Sequence, residues 1–438
     1  MLADWGPRAA RRRESFRRRV LLPSAIALGC VARRGARAFG VGMSIGLGPG
    51  DALRPLPYHL RVVEHLQRAE PEVWGWASSF AVQEQHVQSM RTDLLRETYR
   101  LTAESHPGAY AACADVMAKL EIQAPVTIYQ AGGGEGMNAA LFYLPGEVHV
   151  VLYGPVLEKL GAGELVALLG HELSHYRLWA MEDGAYHTAS RILDHTMADP
   201  GAAASHVNTA RLFRLYTEIY ADRGAAFVAG APGPSIATLV KVQTGIASVD
   251  PAAYLAQAEE LEHSDPRLSQ AGSHPETYLR AQAVDRWARG DAGLDGWLRK
   301  RLQGPLSMDR LDLIHQTELE GLTRSFVARF VEQEPMRSDL VMTQVRRYFP
   351  DWSDAEAPAR PETITAELAD DSVRDYLGFV MLDLALADAD LRDHALLEAA
   401  RIAGALGRAD AFLEALKREG GLARREVDAL ARKLRAAA

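Results

Sequence analysis

His171-Glu172-Leu173-Ser174-His175 sets two histidines four residues apart with a glutamate directly after the first. On an α-helix such a pair shares one face, with Cβ atoms about 6 Å apart, so both imidazoles reach a single tetrahedral zinc ion. Glu172 then stands beside the ion and is placed to take a proton from the water that the ion activates. A catalytic zinc site also needs a third protein ligand and an open position. Glu218 supplies that ligand in Thr217-Glu218-Ile219-Tyr220-Ala221-Asp222-Arg223. Asp222, one turn further on, is placed to accept a hydrogen bond from a ligand histidine and so fix its tautomer. An arbitrary Glu-x-x-x-Asp is ordinarily a solvated helix face. Here its helix follows the motif helix, which turns the reading toward metal.

The flanking pattern predicts the elements that must hold these residues. Apolar residues such as Leu60, Val63 and Leu66 recur at helical spacing through a lead-in that ends near 120. Residues 125–129 read as a strand, and Gly132-Gly133-Gly134 as a turn, since no Lys-Ser/Thr follows to make a phosphate loop. Two β-branched or aromatic runs, 140–144 and 147–153, flank Pro145-Gly146 and predict a hairpin. From Glu164 the apolar period becomes that of a helix carrying the motif. A second helix over about 203–229 carries Glu218 and Asp222 and ends at Gly230-Ala231-Pro232-Gly233-Pro234.

Taken with Asn138-Ala139 before the hairpin, Arg223 after Asp222, and Ser273-His274-Pro275 followed by Arg280, these patches resemble the HtpX-like and CAAX-prenyl-protease-like gluzincins, metallopeptidase family forty-eight. The resemblance covers about residues 125–283. It implies His171, His175 and Glu218 as ligands of one zinc ion per chain, Glu172 as base and Asp222 behind a ligand. It adds His274 as a donor to the tetrahedral oxyanion, with Arg280 near it. Membrane members of that family carry hydrophobic spans and this sequence shows none, which points away from membrane-embedded substrates.

Composition narrows the alternatives. Lys and Arg number 49 against 57 Asp and Glu, yet residues 1–42 carry ten arginines against Asp4 and Glu14, leaving the rest at −16. So acidic a body argues against nucleic acid as partner. The only cysteines, Cys30 and Cys113, exclude a disulfide framework and a cysteine zinc site. The basic head reads as a non-native or disordered extension, with Met43 as the start and a cytoplasmic protein as the consequence. Export or lipid anchoring is the lesser reading.

The expected fold is α+β and predominantly helical. It comprises a helical lead-in at 43–120, a gluzincin-like metallopeptidase domain at 121–350 with a small sheet beside the zinc helix, a linker at 351–361 and an all-helical C-terminal domain at 362–438. The last segment is loosely similar to TerB-like helical domains, and its Asp388-Ala389-Asp390 reads as solvated helix-end carboxylates. The expected function is zinc-dependent endopeptidase activity on polypeptides that add as a strand at the 147–153 edge. The C-terminal domain is then a candidate for binding a protein partner. The alternatives are a non-catalytic zinc-binding protein on the same fold and a zinc hydrolase of another amide.

Overall fold

A computed structural model describes residues 52–132 and 136–437. The basic head at 1–42, Met43, and Gly133 and Gly134 of the glycine-rich stretch lie outside them. The chain forms two compact units, and the described parts of the first are 52–132, 136–304 and 310–314.

The first unit is built on four strands in the order β1 (Thr98–Arg100), β2 (Val126–Ala131), β4 (Glu147–Tyr153), β3 (Asn138–Leu144). β3 and β4 form the predicted hairpin, closed by Pro145-Gly146, where Gly146 has φ +79°, a left-handed value that glycine adopts at no steric cost. β4 also pairs in parallel with β2. This corrects the expected docking edge: residues 147–153 are hydrogen-bonded on both sides, and the edge strand beside β4 is β3. The apolar run of this strand is nearly continuous, as a strand covered on both faces requires. Val148, Val150, Val151 and Leu152 are all fully buried, because helices cover both faces of the strand.

On one face Val148, Val150 and Leu152 join the main core with Leu169 and Leu173 of the motif helix, Ala162–Ala180, and Val116 of the helix Pro107–Lys119. On the other, Tyr129 and Val151 pack with Leu94 of the helix Phe80–Glu97. Each fully buried aliphatic side chain contributes on the order of 1.5–3 kcal/mol, so the strand that carries the hairpin is firmly held. From residue 52 to 120 the described elements are helices except for β1, a three-residue strand too short for a periodicity test to see.

The second unit comprises 305–309 and the described residues from His315 onward. It is helical, with Asp371–Ala385, Arg392–Ala405, Ala409–Glu419 and Arg424–Ala437 following Asp339–Tyr348. Residues 351–361 lie inside this unit. Arg324 pairs with Asp351 and Glu356, and the Ala359 N–H donates to the Ser325 carbonyl. Asp388 is not solvated: it is 9% exposed, hydrogen-bonded with Ser338, and accepts the Asp390 N–H. No described helix is long and apolar enough to cross a membrane.

Candidate metal centre

The site forms where the motif helix crosses the helix Ala204–Ala229. Small residues set the distance between them. A Cβ at Gly224 would meet Ser174 Oγ at 1.7 Å, and one at Gly170 would meet Val228 Cγ2 at 2.3 Å. Both helices therefore approach with backbone nearly in contact, and the side chains on the facing turns converge. Nε2 of His171 lies 3.2 Å from Nε2 of His175 and 3.4 Å from Oε2 of Glu218, while His175 Nε2 is 3.6 Å from Glu218 Oε1. A tetrahedral ion bound at 2.0–2.1 Å spaces its N and O donors about 3.3 Å apart, close to this triangle. Two imidazoles and a carboxylate are the nitrogen and oxygen donor set that zinc takes, although Glu218 Oε2 also faces Arg280 in an ion pair. His171, His175 and Glu218 could thus hold a metal ion, and they are the only such group found among the described residues.

Behind them lies a charged relay. His171 Nδ1 is 3.0 Å from Asp222 Oδ1, which leaves its Nε2 lone pair for the cluster if Nδ1 carries the proton. Arg280 donates to both oxygens of Asp222, each at 2.7 Å, and its Nη2 stands 3.2 Å from Glu218 Oε2. Arg280, expected near His274, shares Glu218 with it and is buried behind the donors, with its guanidinium committed to two carboxylates.

Burial opposes the charge on His171, but its hydrogen bonds to Asp222 and Glu218 outweigh that and push its pKa up to about 10. Burial pushes the neighbouring His175 down to about 4. Burial also works against ionised Glu218 and Asp222, yet Arg280 and His171 hold both carboxyls below their ordinary range. Glu172 differs. It is 6% exposed and accepts the Leu141 N–H of β3, and burial raises its pKa, making its carboxylate the better proton acceptor.

His274 sits in the irregular segment before the helix Thr277–Ala288, its side chain exposed and its Nε2 3.6 Å from Glu218 Oε1. Two hydrogen bonds from Arg211, to the carbonyls of Ala271 and Ser269 at 2.7 and 2.6 Å, tie this segment to the Glu218 helix.

A model of peptidase family M48 matches residues 111–288, which contain all seven of the site residues expected from sequence. The segment 111–288 belongs to peptidase family M48. It is similar to the plastoglobule-localized metallopeptidase 48 of the Arabidopsis thaliana chloroplast, at 30% identity over 158 residues. That alignment takes in 32% of this chain and 45% of the relative, so the chain spans less than half of the relative's length. No solved structure matches the chain.

Within the M48 segment, the structure brings His171, Glu172, His175, Glu218, Asp222, His274 and Arg280 together. His149 lies elsewhere, between Glu147 and Tyr129, and His206 pairs with Glu70. Sequence reasoning missed Arg211, whose role depends on a loop 58 to 60 residues away. It also missed Gly170 and Gly224. Glycine inside two otherwise good helices was the available signal, since it is costly there unless close approach needs it.

Proposed function

We propose that this chain is a zinc-dependent endopeptidase that cleaves extended polypeptide segments. The observation that carries the reading is the convergence of three donors at tetrahedral spacing beside a buried glutamate held by the edge strand. Zinc held by His171, His175 and Glu218 supplies a Lewis acid for the scissile carbonyl and lowers the pKa of a water molecule. Glu172 receives the proton from the attacking water and delivers it to the leaving amine. Its raised pKa suits both halves of that exchange. His274, exposed at the cluster, donates to the developing oxyanion. Asp222, held by Arg280, orients His171.

The substrate adds to β3 rather than to β4. Main-chain hydrogen bonds at a strand edge bind an extended peptide without demanding a sequence, and β3 is the edge nearest Glu172. The test is cleavage of an unfolded protein substrate by the purified chain, with metal content measured in parallel. Activity should vanish with a chelator and return on adding zinc. Full activity in metal-depleted protein contradicts the proposal.

A further inference from the structure

The face of the motif helix that carries His171 and His175 continues one turn further to Trp179, since residues four apart share a face. The Trp179 and His175 rings are 5.4 Å apart. Tyr143 comes in from β3, its ring 5.8 Å from Trp179 and its hydroxyl donating to the Trp179 carbonyl. His187, from the helix Ala185–Ala198, lies 5.9 Å from Trp179 and 4.4 Å from Tyr143. Three elements therefore build one aromatic wall against a proposed metal ligand. Trp179 remains partly open to solvent, although its indole N–H is buried without a partner.

The edge strand gives this wall a place along the substrate. Leu141, whose N–H is held by Glu172, marks the stretch of β3 opposite the reacting bond. Tyr143 is two residues on, which is the same strand face about 7 Å away. A peptide pairing antiparallel with β3, the more stable arrangement per residue, runs its amino-terminal half past Tyr143. Its side chains then alternate, and the one facing the motif helix at that point meets the rings.

We propose that Tyr143, Trp179 and His187 form the subsite for a bulky apolar side chain, aromatic by preference, one strand repeat to the amino-terminal side of the scissile bond. The inference rests on the peptidase reading above for its register, but binding can be measured apart from cleavage. The probes are alanine-glycine peptides carrying one phenylalanine at successive positions, bound to the zinc-loaded Glu172→Gln protein, together with library cleavage by the unaltered chain. The matching phenylalanine peptide should bind roughly tenfold tighter than its all-alanine counterpart, the scale of a good aromatic contact. Adding Trp179→Ala should erase that ratio and Trp179→Phe should keep most of it. If Trp179→Ala does not fold, His187→Ala carries the same comparison. A ratio near one, a ratio untouched by these substitutions, or a preference confined to the carboxy-terminal side overturns the proposal. If the unaltered chain cleaves no peptide while binding shows the Trp179-dependent ratio, the peptidase reading falls and the subsite stands.

Discussion

Replacing Gly224 with alanine tests whether the helix crossing sets the donor triangle. The new Cβ would lie 1.7 Å from Ser174 Oγ and 2.6 Å from Ser174 Cβ. Rotation of Ser174 relieves the first contact but not the second, because Cβ moves only with the backbone. Carbon atoms rest about 3.5–4.0 Å apart, so the helices must separate by about 1 Å. His171 and His175 sit on one helix and Glu218 on the other, now 3.4 and 3.6 Å apart across the crossing. The shift takes them beyond the roughly 3.3 Å spacing that tetrahedral zinc needs. Overpacking of this kind costs about 1–3 kcal/mol. Spent in the metal-bound state, that is about 5- to 150-fold in zinc affinity. Competition with a chromophoric chelator measures the affinity, and circular dichroism reports folding. Ser174→Ala should not rescue the variant, because it keeps the Cβ, whereas Ser174→Gly should restore affinity in part. A Gly224→Ala protein that binds zinc within twofold of the unaltered chain refutes the reasoning.

Three further outcomes are expected. Asp222→Asn should weaken zinc binding roughly 10- to 100-fold, because His171 loses its orienting carboxylate and Arg280 its bidentate partner; unchanged affinity by the same competition assay contradicts this. His59 is enclosed by Phe213, Tyr186 and Tyr220, and burial lowers its pKa from 6.5 to about 3. Below pH 6.5 the unfolded chain takes up a proton that the folded one refuses, so stability falls as pH drops toward 3. His59→Gln should lessen that slope by about 1.4 kcal/mol per pH unit in denaturant titrations, and an unaltered slope contradicts the assignment. A fragment of residues 52–314 should remain folded and bind zinc, since the first compact unit ends there. A fragment ending near 357 should be more easily digested in limited proteolysis, because it keeps part of the second unit without Asp371–Ala385 and the helices after it.

The chemistry was legible because its spacing is local. His171, Glu172 and His175 span five residues, Glu218 and Asp222 another five, and helical period alone puts each group on one face. The hairpin was legible from Pro145-Gly146 for the same reason. The strand order was not, because β2 reaches β4 by a parallel pairing that leaves no turn signal in the sequence. That mistake put the expected substrate edge on β4, which is paired on both sides. Arg280 is similar: its distance from Asp222 in sequence gave no hint that its guanidinium would be buried behind the donors. The stretch 351–361 has a linker's composition, yet Arg324 holds its carboxylates, a pairing set by tertiary structure.

The central claim is that Glu172 moves the proton while His171, His175 and Glu218 hold the metal. Glu172→Gln keeps the size and burial of the side chain and removes only its basicity. Zinc content and peptide cleavage, measured on one preparation of that variant beside the unaltered chain, separate the two roles. One zinc per chain in both proteins, with cleavage reduced at least roughly 100-fold in the variant, is the predicted result. Retained turnover in the zinc-loaded Glu172→Gln protein would contradict it.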